Sequence, residues 1–178
     1  MSIWTWILIA RGYRARRAGR LDAAHQHFSA AVACSRQRGS ASSLVRSLKG
    51  WGQIERDLGR GDEALPLYEE AVEICRREGD ALLLAHTVRH LGDIHQDAGR
   101  VNEAEPCYQE ALLLYRDHRG TAPLDLANAL RPFAILSEAL GRPDQAIELW
   151  TEARTLYATL NLKEGVAESS AHLARLGA

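Results

Sequence analysis

Apolar and small residues recur along this chain at a fixed distance, and the polar residues between them recur in step. The anchor of the pattern is Gly-Arg-x-[Asp/Asn]-x-Ala, which occurs as Gly19 to Ala24, Gly59 to Ala64, Gly99 to Ala104 and Gly141 to Ala146. Successive glycines stand 40, 40 and 42 residues apart. Nine residues after each comes an aromatic (Phe28, Tyr68, Tyr108, Trp150), and three further on an alanine (Ala31, Ala71, Ala111, Ala153). Seven residues before each glycine stands a small residue, Gly12, Gly52, Gly92 or Ala134. Such a period decides the architecture before any local propensity does. The pattern predicts helices near 3–17, 22–37, 41–58, 62–78, 81–98, 102–118, 123–140, 144–160 and 163–176. The last of them is a half-copy, since Val166 to Ala174 aligns with Leu126 to Ala134.

Each copy has a physical reading. The glycine permits a sharp turn between two helices. The Asp or Asn after Gly-Arg reads as an N-cap, with Asn102 and Glu105 at the spacing of a capping box. Small residues of the Gly52 and Ala64 kind let backbones approach, and the aromatics fill the space between neighbouring pairs. Pro66 and Pro106 are placed in the first turn of their helices, where a missing N–H costs nothing. Pro132 falls inside a helix, where it is expected to kink the chain and free the carbonyl of Asn128.

These small residues, turn glycines, alanines and aromatics resemble the tetratricopeptide repeat family across essentially the whole chain. The period exceeds the family's usual 34 or so. It is similar to the longer repeats of kinesin light chains and bacterial regulators, a likeness carried by Ala64-Leu65-Pro66-Leu67-Tyr68 and Ala104-Glu105-Pro106-Cys107-Tyr108. The asparagine pairs of the kinesin light chain inner helices are replaced by Lys49-Gly50, Arg89-His90 and Arg131-Pro132, so that cargo motif is not carried over. The first copy departs at Arg11, where the others have Trp51, Leu91 and Phe133. The resemblance implies an all-α, right-handed solenoid of four antiparallel helix pairs plus a C-terminal capping helix. It reads as one domain over 1–178, with repeats near 3–40, 41–80, 81–121 and 122–161 and the cap at 162–178.

The family also implies that the first helix of each pair lines a concave face on which a peptide lies. Ten residues before each marker glycine are Ile9, Lys49, Arg89 and Arg131; thirteen before are Trp6, Arg46, His86 and Asn128. With Gln53, Arg56, Asp93 and Tyr13 they make the candidate groove, basic enough to expect an acidic peptide held by charge-assisted hydrogen bonds. Asp57, Asp93, Asp97 and Glu138 on the same helices give it a mixed character. At its N-terminal end the stripe turns apolar at Trp6, Ile9 and Tyr13. Exposed apolar patches usually mark a partner: a peptide anchor, a homodimer contact through the first helix, or an upstream segment.

Charge narrows the partners. The 22 Lys and Arg balance 23 Asp and Glu, for a net charge of -1, so no overall positive field favours nucleic acid. The apolar run Ile3 to Ala10 is too short to span a bilayer, which takes about 20 residues. Cys34, Cys75 and Cys107 are isolated and odd in number, without metal or redox spacing, and suit a reducing, cytoplasmic setting. His86, His90, Asp93 and Asp97 share one helix face, and two histidines four apart can chelate a metal. Polar groove residues are the commoner meaning of that spacing, so neither a metal nor a cofactor is expected. Walker, nucleophile-elbow and dinucleotide motifs are missing. The expected function is a non-catalytic protein-binding scaffold. The alternatives are a regulatory or sensor module acting on a signalling protein and, third, a metal-dependent or phosphatase-like enzyme.

Overall fold

The computed structural model describes residues 3–178, and within them the chain forms nine α-helices and no strand. They are α1 (Ile3–Arg17), α2 (Leu21–Gln37), α3 (Ala41–Asp57), α4 (Gly61–Glu78), α5 (Ala81–Asp97), α6 (Val101–Asp117), α7 (Pro123–Ala139), α8 (Pro143–Thr159) and α9 (Lys163–Leu176). Every boundary lies within one residue of its sequence expectation. Each helix packs on the next in order. First helices of successive pairs also meet, α1 with α3 and α5 with α7, whereas the second helices do not approach one another in this way. The odd-numbered helices therefore line the inside of a curved stack.

The turn within each pair does two jobs with two residues. Gly19 adopts φ +70°, and its equivalents Gly59, Gly99 and Gly141 do likewise. In the first turn the Gly19 N–H bonds the Arg16 carbonyl and the Arg20 N–H bonds the Ala15 carbonyl. This pairing closes a helix with a left-handed residue. Arg20 then starts α2, and Arg60, Arg100 and Arg142 hold the same position without a side-chain cap. The expected caps are thus displaced: Asp22, Asp62, Asn102 and Asp144 are the second residues of their helices, where the acidic ones favour the dipole. Asn102 and Glu105 form no capping box; Glu105 instead accepts from Gln109 and Arg142.

Pro66 and Pro106 are each the sixth residue of a helix, one turn deeper than expected, so each leaves the carbonyl four residues back without its backbone donor. Both are exposed, where water can serve that carbonyl. The helical run of α7 continues past Pro132 without a break. Pair-to-pair turns are short, except for 118–122, which accounts for the wider last spacing. Asp80 caps α5 through a bond from the Leu83 N–H.

The aromatics are the plugs of the stack. Phe28, Tyr68, Tyr108 and Trp150 are no more than 1% exposed. Phe28 lies between Gly12 of its own pair and Gly50 of the next, and a Cβ on Gly12 would fall 2.7 Å from its ring. Tyr68 abuts Gly52, and Trp150 stacks on His172 of α9 at 4.1 Å. The small positions are thus fixed by the ring that each must admit.

Candidate functional site

Three inner helices, α3, α5 and α7, bring Arg56, Arg89, His90, Asp93, Gln96, Asp97, Asn128, Arg131 and Pro132 around one cavity of about 370 Å³, with Tyr108 of α6 closing its side. The sequence placed Arg56, Arg89, Asp93, Asn128 and Arg131 in this groove, and here they share a single hollow. Asp93 is its centre. It is 9% exposed, lies 3.4 Å from Arg56 and 3.5 Å from Arg89, and accepts hydrogen bonds from Tyr108 and His90 at 3.1 Å each. Burial raises the Asp93 carboxyl, but His90, Arg89 and Arg56 outweigh it, so the group titrates below the usual carboxylate range.

His86 and His90 of this groove are neutral for a structural reason. Burial drives His90 down to about 4. Its Nε2 stands 2.7 Å from an Arg89 nitrogen that can only donate, so Nδ1 carries the proton and gives it to Asp93. Burial, with Lys49 and His90 beside it, drives His86 down to about 2. Its Nδ1 accepts from Lys49 Nζ at 2.9 Å. Lys49 is itself lowered to about 8 by burial.

The basic ladder is consequently not a row of three free cations. Arg131 makes a two-armed pair with Glu168 of α9, at 2.7 and 2.6 Å. Arg89, 14% exposed, is turned toward Asp93 and His90, and Lys49 is committed to His86. Arg56 bonds Asp97 at 2.6 Å. Gln53 donates to Asp57, which also pairs with Arg16. Asn128 accepts from the Tyr157 hydroxyl through its side chain. The groove is mixed in charge because each helix answers the cation of its neighbour. Arg46 alone of the expected cations in the ladder is exposed with no ionic partner among the described residues.

The N-terminal stripe divides. Trp6 is 56% and Tyr13 38% exposed, but Ile9 is 8% exposed and belongs to the core with Ala24 and Phe28. The three contribute to a separate hollow of about 360 Å³ with Arg14, Arg17 and Arg46.

Among the described residues no three His, Cys, Asp or Glu side chains converge as a metal would require, and no helix is long and apolar enough to cross a membrane. The cysteines are free thiols, with Cys75 buried against Thr87. Tyr108, Gln96 and Glu168 were missed as groove residues, because the first two bond across a helix pair and the third reaches back from the half-copy. An outer ladder was missed too: Arg36 to Glu70, Arg76 to Glu110 and Arg116 to Glu152 tie successive second helices. The arginine spacing of 40 was its signal.

Comparison with known proteins bears on the fold of the chain. Residues 43–117 match the tetratricopeptide repeat family. No curated protein sequence matches the chain. Among solved structures, BtubC (BKLC) from P. vanneervenii superposes with a TM-score of 0.79 at 22% identity, over 88% of this chain and 64% of that one. The chain thus spans less than two thirds of BtubC. A kinesin light chain-like protein of Podosopora anserina with nearly identical TPR-like repeats gives 0.78 at 19%, over 99% and 87%. A signal transduction ATPase with numerous domains and a tetratricopeptide repeat sensor, from Pyrococcus horikoshii, gives 0.80 at 17%, over 96% and 26%. Residues 43–117 therefore belong to the tetratricopeptide repeat family, and the chain as a whole has the solenoid fold of tetratricopeptide-repeat proteins.

Proposed function

We propose that this chain is a non-catalytic scaffold that holds a peptide segment of a partner protein across α3, α5 and α7. The observation that carries the reading is the inner cavity on which Arg56, Arg89, Arg131, Asn128 and Tyr108 converge around Asp93. Hydrogen-bonding groups from three successive repeats meet there, as recognition of an extended chain requires. A carboxylate on the ligand would bind by exchange, taking Arg131 or Arg56 from Glu168 or Asp97, while Asp93 and Asp97 receive donors from the same peptide. The ligand is thus a carboxylate-bearing segment that also carries donor groups, a narrower class than a simply acidic peptide.

A second reading draws on the Pyrococcus horikoshii neighbour, whose repeats are a sensor within a signalling ATPase. In that case the same groove would report occupancy to an attached or associated signalling protein.

The test is to identify a binding partner with the full chain, map its bound segment, and measure that segment by calorimetry against wild type and Arg89→Ala/Arg131→Ala. Arg76→Ala on the outer surface is the control. Loss of charge-assisted contacts should weaken binding by about 1–3 kcal/mol per arginine, and salt should weaken it further. Equal affinity of the groove variant and wild type overturns the reading.

A further inference from the structure

The face of α1 turned away from the stack occupies a position that the chain itself fills on every later first helix. Nine residues before the marker glycines stand Ala10, Gly50, His90 and Pro132, and His172 is the equivalent in α9. Each of the later four receives the aromatic of the preceding second helix. Phe28 packs on Gly50, Tyr68 lies 5.9 Å from His90, Tyr108 shares a cavity wall with Pro132, and Trp150 stacks on His172. Ala10 is exposed and receives no aromatic among the described residues.

The rest of that face repeats the comparison. Ser47, Thr87, Ala129 and Ser169 are buried beneath the preceding helix, and Ser35 and Cys75 reach across to the first two of them. Their counterpart Ile7 is only half-buried. Ser43 is fully buried, and its counterpart Ile3 is 69% exposed. Ile54, Ile94 and Leu136 are buried, and their counterpart is the exposed Arg14. One end of the face is thus apolar and the other basic, because Arg11 and Arg17 flank Arg14 and none of the three has an ionic partner among the described residues.

We propose that this face docks an amphipathic helix of a partner protein, running antiparallel to α1, with a large apolar or aromatic side chain over Ala10 and carboxylates in its first turn. The orientation follows from the stack, in which the start of each second helix lies beside the end of the next first helix: Ala24 packs in one cluster with Ile54, and Ala64 in a second with Ile94. The carboxylates follow from charge. A docked helix would begin beside Arg11, Arg14 and Arg17, where its own dipole already favours anionic residues. This chain's second helices have that form, with Asp62 and Glu63 opening α4. The surface is separate from the α3, α5 and α7 cavity, so either site can fail without the other.

The probe is a labelled peptide of residues 61–78 carrying Cys75→Ser, a helix of the required chemistry, titrated into the full chain and read by anisotropy and amide shifts. Shifts should concentrate on α1. Ala10→Trp, which fills the exposed position, and Arg14→Glu, which reverses the charge, should each weaken the peptide at least tenfold with circular dichroism and Tm retained. A peptide in which Tyr68 is replaced by Ser should lose as much. Shifts confined to the groove, or equal affinity for both variants, overturn the proposal. Two further outcomes also overturn it: reversible dimers in sedimentation that Ala10→Trp abolishes, and binding of anionic vesicles with no response to the peptide.

Discussion

A methyl group added at Gly52 would lie 2.5 Å from the Tyr68 ring, which is boxed in on its far side by His90. The ring cannot retreat, so Gly52→Ala should destabilise the fold by about 1–3 kcal/mol through overpacking. At Gly61, where an added Cβ meets nothing, the same change should stay within about 0.5 kcal/mol. Thermal melts of the two variants check the contrast. His86 makes a prediction of a different kind. Its folded pKa, about 2, lies below the usual 6.5 because burial and Lys49 disfavour its charged form. The unfolded chain then binds the extra proton first as pH falls, so this group's contribution is intact above pH 6.5 and is lost as acid is added below it. His90, at about 4, acts in the same direction. His86→Gln keeps an acceptor for Lys49 without a titrating ring, and should flatten the fall in Tm between pH 6.5 and 4.5. An unchanged slope would mean that His86 is open to solvent in solution.

Whole helices behave here as lids on their neighbours. α9 lays Leu173, Val166 and Leu176 against the last pair, stacks His172 on Trp150, and holds Arg131 through Glu168. Ending the chain after Leu160 would expose Trp150 and Leu149 and leave Arg131 unpaired. Terminal caps of repeat arrays are needed for that reason. The 1–160 fragment should melt roughly 10 °C lower, as a loss of about 3–4 kcal/mol implies for a chain of this size. An equal Tm for fragment and full chain would show that α9 is not a structural lid. Against this, the outer Arg36, Arg76 and Arg116 ties join half-exposed side chains and add little each, because exposed ion pairs are worth about 0–1 kcal/mol.

At the scale of the molecule, the stack is joined only through near neighbours, so damage should stay near its source. Phe28 plugs the first two pairs and makes no contact with α7, α8 or α9. Phe28→Ala should cost about 3–5 kcal/mol locally. In native-state hydrogen exchange, amides of α1 to α3 should lose protection while those of α7 and α8 keep most of theirs. Uniform loss along the chain would instead mark a single cooperative unit. The same independence separates the inner groove from the α1 face and lets each be tested with the other intact.

Residue order alone sets the period, and with it the helix count, the boundaries and the plugs. One ring per repeat must meet one small residue per repeat, and that constraint is visible without coordinates. It also placed Arg56, Arg89, Asp93, Asn128 and Arg131 on one face, because position within a repeat fixes the direction of a side chain. What those groups do depends on how the repeats stack. Helix caps moved to the arginines because a left-handed glycine leaves the next residue to start the following helix. Ile9 went to the core because its neighbour across the pair is Phe28. Arg131 met Glu168, and Lys49 met His86, across gaps of 37 residues that only the stacking of one helix on another closes. Pattern sets where a charge is carried, but its partner depends on the distance between side chains of separate repeats, and that distance belongs to the folded stack alone.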